Sequence, residues 1–220
     1  MHDMSSHIRI KFYVLCMMAV LVLSACAATE LEERCFPILT SVGFEDRKVT
    51  YALGFPREGL AGEESKNSKT NVSRVKAKNF KESKTKYESR LNKVVDYNHL
   101  KVIVLEEDFM EQVKIYEEMI DYLAELEEFP RNTYVCAVED VEDLLEIEKD
   151  LPQELGTYLE EYLNKQENAK GDILTLGDLM DEKENKKMVL YIPYLEVEDS
   201  YVEWEGYYAV GMGLPPVKFQ

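Results

Sequence analysis

Histidine is almost missing from this chain: there are three in 220 residues, and two of them, His2 and His7, fall within the first ten. A histidine-ligated zinc centre or a serine–histidine–aspartate triad would have to be assembled around His99 alone, so both chemistries are set aside. Cysteine is sparse as well, four in all, with no C-x-x-C spacing among them. Basic charge is the minority: 26 Lys and Arg face 43 Asp and Glu, for a net charge of −17. A phosphate backbone needs the opposite sign, which excludes nucleic acid as a partner. Long apolar runs are missing too. The longest, Phe12 to Leu23, has twelve residues, about 18 Å as a helix against a bilayer core of about 30 Å.

That short run is nevertheless the most informative stretch. Arg9 and Lys11 precede it and Leu23-Ser24-Ala25-Cys26 closes it. A basic flank, a short apolar core and a small-residue site make an export signal. The cysteine makes the signal specific, because a lipoprotein peptidase cuts just before a cysteine whose thiol carries diacylglycerol. Residues 1–25 are therefore expected to be a lipoprotein signal peptide, and Cys26 the lipidation site. Acyl chains on Cys26 would hold the protein at a membrane surface on the extracytoplasmic side, at about 0.8 kcal/mol per buried methylene. Extended through Ala28, the run reaches seventeen residues, so an uncleaved anchor stays open, with a buried helix as the third reading.

Loss of Arg9, Lys11 and Asp3 with the signal leaves 24 basic and 42 acidic side chains, a net charge of −18. The remaining 195 residues suffice for one good-sized domain or two small ones. Cys16 leaves with the signal and Cys26 takes lipid, so only Cys35 and Cys136 remain. In an oxidising compartment they can pair, or they can stand as two small buried hydrophobes. Charge is blocked along the chain. Eleven bases against three acids lie between Lys66 and Lys101, and twenty acids against three bases between Leu105 and Glu161. Such blocks suit solvated helix faces, mutual attraction, or a basic face turned to anionic lipid.

Residues 26–34 read as the lipidated N-terminus and a spacer, and residues 35–214 as the main domain. Strands are expected at Phe36 to Phe44 and Lys48 to Phe55, turned by Glu45-Asp46-Arg47. Pro56 to Thr70 is the best loop, followed by a third strand within Asn71 to Phe80 and a basic helix from Lys81 to Val94. His99 to Leu105 is a nearly continuous apolar strand of the doubly buried kind. Phe109, Val113, Tyr116, Ile120 and Leu123 then step at helical spacing, and Thr133 to Val138 is another strand. Strand, helix and strand make a βαβ unit. A short helix through Ile147 follows, started by Asp140 or Glu139. A longer one opens at Pro152, with Leu155, Tyr158, Leu159, Tyr162 and Leu163 on one side. Thr175 is placed to cap a further short helix. Met188 to Val197 and Tyr201 to Val210 are long strands around a tight turn. The sum is an α/β fold: a mixed β-sheet with packed helices, in a single main domain after the signal peptide.

No catalytic, cofactor-binding or metal-binding motif stands out. Gly211-Met212-Gly213 follows a strand, but Leu214-Pro215-Pro216 stands where a phosphate-cradling helix would start. Any carboxylate pair taken as an acid–base couple reads more simply as surface charge. Asn71-Val72-Ser73 fits a glycosylation acceptor, an accidental match in a chain with a bacterial lipobox.

Several stretches, in order, resemble the Ger(x)C spore germination lipoproteins, the C subunits of nutrient germinant receptors. They are Glu30-Leu31-Glu32-Glu33 with the strand into Gly43; His99 to Leu105; Arg131-Asn132-Thr133-Tyr134-Val135; Leu155-Gly156-Thr157-Tyr158-Leu159; Thr175-Leu176-Gly177-Asp178-Leu179; and Tyr191-Ile192-Pro193-Tyr194-Leu195-Glu196. The resemblance covers the N-terminal domain of that family, over most of residues 26 to 210. It implies a non-enzymatic α/β protein without cofactors. Such a protein is lipid-anchored at the spore inner membrane beside A-type and B-type membrane-embedded subunits. The chain departs from the family at Ala27-Ala28, where Trp-Asp is usual, and at Glu128-Phe129-Pro130. The family's later domains are expected to be absent, since members extend well beyond position 220. The readings from other classes are a solute-binding or scaffold lipoprotein outside germination, and an extracytoplasmic hydrolase.

Overall fold

A computed structural model of the chain describes residues 33–56, 72–126, 128–170, 173–185, 189–211 and 214–219, together with Met17. The expected signal, apart from Met17, lies outside the described residues, as do Cys26 and nearly all of the expected loop from Pro56 to Thr70. The chain divides into two compact units, Met1–Glu33 and Arg34–Gln220. Every strand and helix named below belongs to the second.

Buried, β-branched stretches pair into one mixed eight-stranded sheet. Its strands are β2 (Leu39–Glu45), β3 (Lys48–Gly54), β4 (Val72–Ala77), β6 (Val102–Glu106), β7 (Tyr134–Val138), β8 (Leu190–Val197), β9 (Val202–Gly211) and β10 (Leu214–Phe219), in the order β10-β9-β8-β7-β6-β2-β3-β4. The central four, β2, β6, β7 and β8, run parallel, and antiparallel hairpins extend both sides. A separate two-residue parallel pair joins β1 (Arg34–Cys35) to β5 (Val94–Val95). The β2–β3 turn is tighter than the sequence suggests. Glu45 pairs with Lys48, leaving only Asp46 and Arg47 in the turn, both at positive φ as a two-residue hairpin requires.

Strict alternation sends neighbouring side chains to opposite faces. On β6, Ile103 and Leu105 join one apolar cluster, and Val102 and Val104 the other; on β7, Val135 and Ala137 oppose Cys136 and Val138. The first face is covered by α1 (Phe80–Leu91), α2 (Glu107–Met110), α3 (Val113–Glu125) and α6 (Leu176–Asn185). The second is covered by α4 (Val141–Glu146) and α5 (Leu155–Lys170). The expected βαβ unit is β6, α2–α3 and β7.

The helix expected through Phe109 and Leu123 is two helices. Gln112 leaves the helical region at φ −80° and ψ 62°, which lets α2 bury Phe109 and Met110 completely while α3 turns Tyr116, Met119, Ile120 and Leu123 inward. The α5 helix starts at Leu155, three residues after Pro152, and buries Leu155, Leu159 and Leu163 as its stripe implies. β1, β5 and β10 are additions that the sequence reading lacks.

Candidate functional site

The chain enters the folded unit at a clamped point. Arg34 donates to the Asp96 carboxylate at 2.8 Å, and the Asp96 N–H donates to the Cys35 carbonyl at 3.0 Å. Asp96 also accepts from the Asn98 N–H at 3.1 Å and the Asn98 side-chain amide at 2.7 Å. Burial raises the Asp96 pKa, but the Asn98 N–H and the Arg34 guanidinium outweigh it, and the carboxyl is held below its usual range. Arg34 and Cys35, the first residues of the folded unit, are thereby held to its β5 side.

Two of the recognised stretches turn out to touch each other. Thr175 caps α6, and the Asp178 carboxylate accepts from the Thr175 N–H at 2.8 Å and hydroxyl at 2.6 Å. The Leu176 N–H donates to the Thr133 carbonyl, and the Gly177 N–H to the Arg131 carbonyl, both at 2.8 Å. A Cβ on Gly177 would lie 3.0 Å from that Arg131 oxygen, tighter than an ordinary contact, so a larger residue would make the carbonyl give way. Arg131 reaches back to the Gly177 carbonyl at 3.2 Å and to Asp181 at 2.6 Å. The motif residues 131–133 and 175–179 form a lock between the start of β7 and the start of α6.

The charge blocks also meet. Arg74 pairs with Glu142 at 3.1 Å, Lys84 with Glu128 at 2.7 Å and Lys101 with Glu160 at 2.7 Å, each joining the basic segment to the acidic one. Mutual attraction therefore accounts for part of the pattern. The Arg74–Glu142 pair is well exposed and worth at most about 1 kcal/mol.

Candidate reactive groups have structural partners or are sealed. Glu106, at the carboxyl end of β6, is half-buried; its two oxygens accept from the Phe44 N–H at 2.6 Å and the Val141 N–H at 3.2 Å. Gly43 makes room for this carboxylate, since a Cβ there would sit 2.8 Å from it. Burial raises the Glu106 pKa against those two hydrogen bonds. His99 is exposed and packs edge-on against Phe36, 4.9 Å between ring centres. Cys35 and Cys136 are both free and buried, and they lie in opposite apolar clusters, so the disulfide reading fails: the sheet separates them. Among the described residues no group of three His, Cys, Asp or Glu is placed to hold a metal. Two surface cavities, beside Arg74 and Glu142 and between α1 and α3, measure about 220 and 190 Å³. Both fall short of the roughly 300 Å³ at which small-molecule sites begin.

One surface was missed by the sequence reading. On the second face of the outer strands, Tyr191 (55% exposed), Val217 (49%) and Phe219 (51%) stand open beside the half-buried Tyr207 and Trp204. The signal for it is Val217 and Phe219 alternating about Lys218, with Tyr191 next to the buried Ile192.

These features define a mixed α/β domain whose recognisable residues lock, cap and clamp the fold. The chain belongs to the family described as the spore germination protein N-terminal domain, whose model matches residues 27–197. The resemblance read from the sequence is thereby borne out, and the match spans β1 to β8, with β9 and β10 lying past it. No curated protein and no solved structure matches the chain. Among the described residues no helix is long and apolar enough to cross a membrane.

Proposed function

We propose that the chain is a lipid-anchored, non-catalytic subunit of a spore nutrient germinant receptor. It is tethered through Cys26 and works by contact with A-type and B-type membrane-embedded subunits. One observation carries this reading: the family match begins at residue 27, immediately after the Leu23-Ser24-Ala25-Cys26 box. Support also comes from Glu106 and the motif residues, whose polar atoms are engaged in holding the fold. Replacing Cys26 with alanine is expected to release the protein from the spore membrane fraction and to slow nutrient-triggered germination. Normal germination in spores lacking the protein would overturn the proposal.

A further inference from the structure

Among the described residues the two faces of the sheet are covered unequally, four helices against two. Eight strands about 4.8 Å apart are about 34 Å wide, room for three to four helices set about 10 Å apart. Among the described residues the second face is therefore short of helices, and its exposed part lies over β8, β9 and β10 beside α5. Register places Tyr191 and Val217 in one row across these strands, and Tyr207 and Phe219 in the next. Trp204, 5.1 Å from Tyr207, and Tyr162 of α5 border the floor on its inner side. On the opposite face the same strands are filled: Lys218 lies 3.6 Å above the Tyr194 ring and 3.2 Å from Glu205.

We infer that this aromatic floor receives one amphipathic helix of a partner protein, apolar stripe downward and basic residues outward. The inference rests on the protein-contact reading above and names its surface. Shape favours a helix: three strands are about 10 Å from first to last, a helix is about 10–12 Å across, and α5 supplies a side wall. Area disfavours a second copy. The floor is on the order of 200 Å², against about 800 Å² per partner in a stable interface, whereas a helix also engages α5. A planar bilayer is excluded by relief, because α5 stands about 10 Å above the sheet. Charge selects the partner's sign, since a chain of net charge −17 steers cations toward itself and opposes both a second copy and anionic lipid.

Trp204 is the only tryptophan in the chain, so its emission reports on the floor. The compact unit starts at Arg34, and a chain begun at Ala27 keeps every element for the measurement. Titration with a synthetic leucine/lysine peptide of helical periodicity is expected to shift Trp204 emission to the blue and saturate. A scrambled peptide of equal composition, and a leucine/glutamate peptide, should bind at least tenfold more weakly. The double variant Tyr191→Ser/Phe219→Ser changes two exposed side chains and no charge. It should lose at least tenfold in affinity for the periodic peptide while keeping its melting temperature.

Equal binding of the scrambled peptide, or unchanged binding by the double variant, would overturn the inference. So would a variant-sensitive dimer in sedimentation, or a variant-sensitive emission shift on phosphatidylglycerol vesicles. In spores, the double variant should remain in the membrane fraction yet germinate poorly. Full germination by the variant where the deletion strain fails overturns the floor alone. Normal germination of the deletion strain overturns the receptor reading and leaves the peptide result standing.

Discussion

Gly177 and Arg131 hold each other in both directions: the Gly177 N–H donates to the Arg131 carbonyl at 2.8 Å, and the Arg131 guanidinium donates to the Gly177 carbonyl at 3.2 Å. The exchange fixes α6 against the start of β7 although the two residues lie 46 positions apart. Gly177→Ala should push the Arg131 carbonyl away and weaken both bonds, at a cost of about 1–3 kcal/mol. Thermal unfolding followed by circular dichroism should show a fall of about 2–4 °C per kcal/mol. An unchanged melting temperature would mean that the lock contributes nothing.

Glu106 predicts a pH dependence. Burial raises its folded pKa above the unfolded value near 4.3. A group shifted this way contributes stability that is fully present below the unfolded pKa and is lost as pH rises through the folded one. Glu106→Gln removes the titration but can satisfy only one of the two backbone donors, so the variant should be less stable at pH 4. Its deficit should narrow as pH rises to 7. Urea unfolding of both proteins across that range checks the sign, and a pH-independent difference would refute it.

Cys35 and Cys136 should behave as sealed, separate thiols. Burial pushes the Cys35 thiol up to about 11, although Lys93 nearby pulls it down, and burial alone pushes Cys136 up to about 12. In a chain begun at Ala27, neither should react with a thiol reagent at pH 8 while folded. Both should react in concentrated guanidinium without any reductant. A pair that stays silent in guanidinium until reduced would show a disulfide and contradict the opposite-face placement.

Much of this fold is legible in the residues. The run Val102-Ile103-Val104-Leu105 reads as buried on both faces and is, because a central strand of a two-faced sheet needs no polar side. Thr175 reads as a cap and is one. What escaped has physical causes. The strand β10 escapes because Leu214-Pro215-Pro216 is read only against a helix; Pro215 and Pro216 fall where the β9–β10 register shifts between Leu214 and Val217, so no regular ladder bond is asked of them. β1 and β5 are two residues each, too short for any periodicity. The break at Gln112 is invisible because Phe109 and Val113 keep helical spacing across it. The motif lock escaped for another reason: its two halves are each readable, but only the folded chain brings Arg131 to Gly177.

The entry clamp has a mechanical consequence. On the proposed Cys26 tether, a pull on the N-terminal side arrives at Arg34, where one ion pair and a two-residue ladder stand between the load and Ile38, which leads into the interior strand β2. Those few contacts are the weak link in series with a strong one. Under force they should open before any of the eight strands moves, lengthen the leash by a few residues, and close again when the tension drops. Single-molecule pulling between position 27 and Gln220 should show that small reversible step, at lower force in Arg34→Ala. Such a release would spare the pairing of the eight-stranded sheet.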